Sequence, residues 1–207
     1  VQTCALPISN ESLQSMITAG NLMTYADIAA EDAYYDNLMD NEDAYVAKMI
    51  QLSRLMRDAD PSEPNTHEDS TYLHSSYITY LETTLKNFVR YHIQDNSIFI
   101  GGDSIITKAK FETSTLNNAN KRFYSITVSA DDNNITITDQ LNNTCKVVKG
   151  NNYNIIGREY WIENANNANN TQNIYNASDV VVHQIDGVLL YHENQRRKWQ
   201  DIVDAIK

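Results

Sequence analysis

Apolar residues recur at helical spacing up to about residue 95 of the chain and alternate like strands beyond it. Leu13, Met16 and Ile17 share one helical face, and Gly20 supplies a stop. Thr24 followed by Asp27 forms an N-cap pair, which predicts a helix through about Met39. Val46, Met49, Ile50 and Met56 predict a third helix from about Glu42 to Arg57. The polar stretch Asp58–Asp69 is twice interrupted by proline and reads as a mobile loop inside one domain, because neither flank looks complete alone. Ser70 then caps a helix carrying the stripe Leu73, Tyr77, Leu81, Leu85, Phe88, Val89 and His92.

In the second half, Ile98–Ile100 predicts a short buried strand closed by Gly101-Gly102. Arg122–Ala130, Ile135–Thr138 and Thr144–Val148 predict a meander, with Asp131–Asn134 and Gln140–Asn143 as its turns. Arg158–Ile162 is a further strand, Asn164–Asn173 an Asn-rich loop, and Asp179–Leu190 a last apolar strand or bent strand pair. Beyond Tyr191 the chain turns basic. There Trp199, Ile202, Val203 and Ile206 form a small helical stripe, so residues 192–207 are a tail that docks or leads onward. Helices followed by consecutive strands predict an α+β domain, with helices packed on a mostly antiparallel sheet or sandwich.

A length of 207 residues allows one domain with a real core. The net charge of −11 argues against nucleic acid or an anionic membrane as partner, since phosphates would be repelled. Acid is concentrated at Glu31-Asp32, Asp36, Asp40 and Glu42-Asp43, which reads as a solvated helix face; no Asp-x-Asp-x-Asp-Gly loop supports calcium. No apolar run is long enough to span a bilayer, and no basic region leads into an apolar export segment. Val1–Ile8 resembles the in-frame translation of a sequencing-library adapter. On that reading residues 1–8 stand outside the fold, native sequence starts near Ser9, and any export signal is lost. Cys145 then remains as a lone, packed cysteine.

The segment Ser178-Asp-Val-Val-Val-His-Gln-Ile-Asp-Gly-Val-Leu-Leu190 resembles the second homology box of the fasciclin domain family. Leu85-Lys-Asn-Phe-Val-Arg-Tyr-His-Ile93 is similar to that family's Tyr-His helix, in the expected order, and Ser9-Asn10-Glu11 resembles the end of its first box. The resemblance covers residues 9–191, with a helical insertion at about 21–70 like that of Gram-negative surface proteins. It implies a wedge-shaped β-sandwich with a packed helical layer, here lacking its first core strand. It also implies an exported, commonly lipid-anchored protein that adheres to a protein or glycan ligand at the cell surface. Membrane contact would come only through a lost N-terminal anchor.

Within the family motifs, Tyr91 and His92 read as structural, His92 as a packed histidine bonded to backbone. His183 and Asp186 point to opposite faces of a strand and form no simple site unless the strand bends; Asp186 before Gly187 serves the turn. No ligand spacing supports a metal site built from His92, His183 and Asp186, so neither metal nor cofactor is expected. Catalytic signatures are missing too: no Gly-x-Ser-x-Gly, phosphate loop, His-Glu-x-x-His or paired-cysteine motif occurs, and the chain reads as non-enzymatic. Tyr34, Tyr35 and Tyr80 are the candidate partner contacts on the inserted helices, and Tyr77 belongs to the core stripe. The alternative function is an outer-membrane accessory protein binding carbohydrate or nutrients, for which Trp161 and Trp199 are the available aromatic platforms.

Overall fold

The computed structural model describes residues 2–59, 70–101, 105–117, 120–150, 153–163, 173–196, 198–199 and 201. Backbone alone is described at 2–3, 53–59, 70–73, 156–163, 173–179, 194 and 196. In chain order the elements are β1 (Gln2–Ala5), α1 (Asn10–Thr18), α2 (Tyr25–Leu38), α3 (Glu42–Ala59) and α4 (Ser70–Tyr91). Next come β2 (Ile93–Gln94), β3 (Ile106–Asn117), β4 (Arg122–Ala130), β5 (Ile135–Thr138), β6 (Thr144–Lys146), β7 (Ile155–Glu163) and β8 (Asn173–Val182). The class is α+β, and the chain divides into two compact units. One comprises Val1–Ser9, Tyr91–Ser114 and Ser125–Leu189; the other comprises Asn10–Arg90, Thr115–Tyr124 and Leu190–Lys207.

The first unit is built on a sheet of order β6-β5-β4-β3-β2-β1-β8-β7. Its β1/β8 pair is parallel, whereas β1/β2, β2/β3, β4/β5, β5/β6 and β7/β8 are antiparallel. Strict alternation puts Ile126, Val128 and Ala130 of β4 and Ile135 and Ile137 of β5 inside. The Asp131–Asn134 turn is held by Asp131 Oδ1, which accepts from the N–H groups of Asn133 and Asn134 at 2.7 and 2.8 Å. Asp139 does the same for the next turn, where Asn142 takes the left-handed φ of 62°.

Two expectations are corrected here. Residues 1–8 do not stand outside the fold: Gln2–Ala5 pairs with β8 on one side and β2 on the other, and Cys4 and Leu6 are buried. The ladder continues as His183 N–H donates to Ala5 O and Ile185 N–H to Pro7 O, both at 3.0 Å. β1 thus lies inside the sheet between β2 and β8, where Cys4 and Leu6 supply apolar side chains to the interior. Ile98–Ile100 is not a strand. Ile98 and Ile100 are buried, but their backbone is satisfied by side chains from elsewhere in the unit.

The second unit holds the four helices. The Thr24 capping box forms as expected: Thr24 Oγ1 accepts from Asp27 N–H at 3.2 Å, and the Asp27 carboxylate accepts from Thr24 N–H at 2.7 Å. Gly20 ends the first helical turn region at φ 76°, and its carbonyl accepts from Trp199 N–H at 2.7 Å. Ile28, Tyr35, Met49, Leu52, Tyr77 and Leu81 form the centre of the helical core, and Trp199 of the tail packs into it. The loop expected at Asp58–Asp69 and the one at Asn164–Asn173 lie almost wholly outside the described residues.

Candidate functional site

The family-motif residues are fasteners of the sheet unit. His183, fully buried, follows the last residue of β8. Its Nδ1 accepts from Asn154 N–H at 3.1 Å, so in the neutral ring the proton is on Nε2, which donates to Ile98 O at 2.6 Å. Burial pushes this imidazole below its ordinary pKa; the Ile98 carbonyl opposes that shift only in part. Asn154, at the left-handed φ of 52°, also grips Ile100 from both sides through its side-chain amide, at 3.0 Å to N–H and to carbonyl.

Asp186 serves the turn and also closes it onto β6. Its Oδ1 accepts from Lys146 N–H at 2.7 Å while its own N–H donates to Lys146 O at 2.9 Å. Between these two residues Ile185 bridges Ile8 on one side and Val147 on the other. Gly187 is required beside them, since a Cβ there would stand 2.8 Å from Cys145 Sγ. Cys145 is packed as expected, its thiol raised to about 11 by burial first and by the Asp186 charge second.

His92 lies just past α4 and is buried, its Nε2 accepting from Leu189 N–H at 3.2 Å. The Tyr91 hydroxyl donates to Ser125 O at 3.2 Å and accepts from Gln140 N–H at 3.1 Å. Each of these four side chains thus ties a loop backbone to a strand or helix end. His92, His183 and Asp186 do not converge on a common point.

Two of the three tyrosines expected to meet a partner, Tyr35 and Tyr80, are instead interior. Tyr35 is completely buried, and Tyr80 is buried against Trp199 with ring centroids 6.3 Å apart. Tyr34 is half-buried and packs edge-on to Tyr35 at 5.0 Å. Tyrosine bodies fill this core beside Ile28, Met49, Leu52 and Leu81. One consequence is that the Tyr35 and Tyr77 hydroxyls are buried without hydrogen-bond partners. Burial, then the nearby Glu31 carboxylate, pushes both phenols far above their ordinary range. Trp161 sits on β7 opposite Tyr175, but its side chain lies outside the described residues.

The acidic stretch of α2 divides. Asp36 and Asp40 are solvated as expected, but Glu31 is buried. Asp32 and Asp36, one helical turn apart, share a face with His74 of α4. Asp32 Oδ1 is 2.8 Å from His74 Nε2, and Asp36 Oδ1 is 3.7 Å from His74 Nδ1. Among the described residues this is the one group of three histidine, cysteine or acidic side chains close enough to share an ion. The sequence signal was the Asp-x3-Asp spacing, which carries no meaning until a histidine from another helix is placed over it.

The helical unit also carries an apolar groove of about 510 Å³, lined by Leu13, Ile17, Met23, Tyr25, Leu85 and Val89. Among the described residues no helix is long and apolar enough to cross a membrane. Comparison with known proteins found no matching family model, curated protein or solved structure.

Proposed function

We propose that the chain is a non-enzymatic, exported binding module of fasciclin type, a β-sandwich wedge that adheres to a protein or glycan ligand at the cell surface. The observation that carries this reading is what His92, His183 and Asp186 do: each is committed to a backbone partner inside the scaffold. A polar group spent in that way rigidifies a module and is not itself poised as an acid, base or nucleophile. The resemblance of Ser178–Leu190 to the second fasciclin box supplies the family and the surface location.

The test is attachment. Displayed on a non-adherent bacterial host, the module is expected to raise adhesion to protein-coated over bare surfaces. Unchanged attachment, with turnover of any substrate in an esterase or glycosidase panel, replaces binding by catalysis. Fractionation of the native host checks the location: recovery in the cytoplasm alone overturns export. The carbohydrate alternative loses one of its platforms, since Trp199 is buried against Tyr80. Glycan-array binding that disappears in Trp161→Ala is the result that would favour it.

A further inference from the structure

We propose that Asp32, Asp36 and His74 form a binding site for a divalent transition-metal ion of the zinc class, fastening α2 to α4. This goes beyond the adhesion reading and does not depend on it. The three side chains each offer one ligand atom, and those atoms lie within 4.8 Å of one another. The donor set is one imidazole nitrogen and two carboxylate oxygens, which suits zinc or manganese and disfavours magnesium and calcium, whose ligands are oxygens.

The histidine carries the argument beyond a cluster of acids. The His74 side chain is 10% exposed, and it is directed at two carboxylates that are about half exposed. Its Nε2 is buried and makes no hydrogen bond, although Asp32 Oδ1 is 2.8 Å away. At that distance a hydrogen bond fails when the oxygen lies well off the N–H direction or when the ring proton is on Nδ1, and either leaves Nε2 open to an ion. Two ligands of one ion, each at about 2.0–2.1 Å from it, stand roughly 3 Å apart with the oxygen off the nitrogen's axis in this way. An ion on that axis would satisfy Nε2 and Asp32 together, and the exposed Asp36, now 3.7 Å from Nδ1, would complete the set by a side-chain rotation.

Electrostatics favours the same occupant. The chain carries −11 overall, and two carboxylates one turn apart on α2 repel each other unless a cation lies between them. Tyr35 and Tyr45 wall the histidine, with ring centroids 5.5 and 6.4 Å from it, and fix its plane. The solvated side of the aspartates leaves coordination positions for water, as in an open rather than a closed zinc site.

The experiment is titration of the chelator-stripped, purified chain with Zn²⁺ by calorimetry, with Mg²⁺ and Ca²⁺ as controls. One Zn²⁺ per chain is expected, bound at least ten-fold tighter than Mg²⁺ or Ca²⁺, with a rise in Tm at saturation. Asp32→Asn, Asp36→Asn and His74→Gln should each weaken Zn²⁺ binding about ten-fold or more. Unchanged affinity in His74→Gln, or equal affinity for Ca²⁺, overturns the proposal in favour of a plain acidic surface. Should a variant fail to fold, the unaltered protein decides: Zn²⁺ must shift the His74 ring resonances, and resonances unmoved at saturation overturn it.

Discussion

Gly187→Ala tests the packing of the segment that resembles the second fasciclin box. The backbone at Gly187 is outside the left-handed region, so alanine is not strained there by its φ angle. The cost must come from the new Cβ, which would stand 2.8 Å from Cys145 Sγ. Ordinary contact between such atoms is about 3.5–4.0 Å, so roughly an ångström of overlap has to be relieved. Both neighbours resist. Cys145 is buried on β6, and the Gly187 backbone follows Asp186, which shares two hydrogen bonds with Lys146. Overpacking of this kind costs about 1–3 kcal/mol. At this chain length that lowers Tm by about 2–12 °C. Cys145→Ala alone removes one sulfur from a buried site and costs about 1 kcal/mol. It also removes the atom in the way, so the double variant should recover about 1–2 kcal/mol relative to the sum of the single changes. Urea denaturation followed by far-ultraviolet circular dichroism reads all four corners of the cycle. Additivity within about 0.5 kcal/mol would refute the contact, since uncoupled sites behave that way.

Three further outcomes follow from the same geometry. His183 has its pKa depressed in the fold, so the unfolded chain binds the proton more tightly; stability should fall as pH drops below the ordinary value of 6.5. Protonation would also force Nδ1 to give up the Asn154 N–H. His183→Gln should flatten that part of the pH profile, and an unchanged slope rules His183 out as its source. Trp199→Ala should cost about 3–5 kcal/mol by emptying the site against Tyr80; a loss below about 1 kcal/mol would mean that the tail does not dock. Removing Val1–Ile8 should leave the edges of β2 and β8 unpaired and yield an aggregating chain. A soluble monomer with a cooperative melt would show instead that the segment is dispensable.

What could be read from sequence follows from how local each signal is. The Thr24–Asp27 box and the alternation of Ile126, Val128, Ile135 and Ile137 are complete within a few residues, and α2, β4 and β5 appear where those signals put them. β3 gave no such signal. Its fully buried positions are Thr113 and Thr115, while Leu116 faces outward, so its apolar pattern is inverted at that end. Thr115 can be interior because its hydroxyl donates to Asn87 O at 2.9 Å, a partner 28 residues away. The tyrosines misled for a related reason: a phenol reads as amphipathic, and only the packed helices reveal that Tyr35 and Tyr80 face inward. The backbone-fastening role of His92 was legible from the apolar stripe around it. The grouping of Asp32, Asp36 and His74 was not, because it joins two helices with another between them in sequence.

The neighbours of β1 are drawn from distant parts of the chain. During synthesis its antiparallel partner β2 emerges first, and its parallel partner β8 follows about eighty residues later. At about 5–20 residues per second, translation leaves that second edge of β1 unpaired for roughly 4–16 s after β2 has emerged. Throughout this interval Cys4 and Leu6 have no finished interior to enter, although all four helices, which precede β2, have already been made. The last strand therefore acts as a timer: the ladder that carries His183 and Ile185 can close only after nearly all other elements have been made. The sheet of such a protein matures late, a delay during which chaperones can engage the nascent chain before it is sealed.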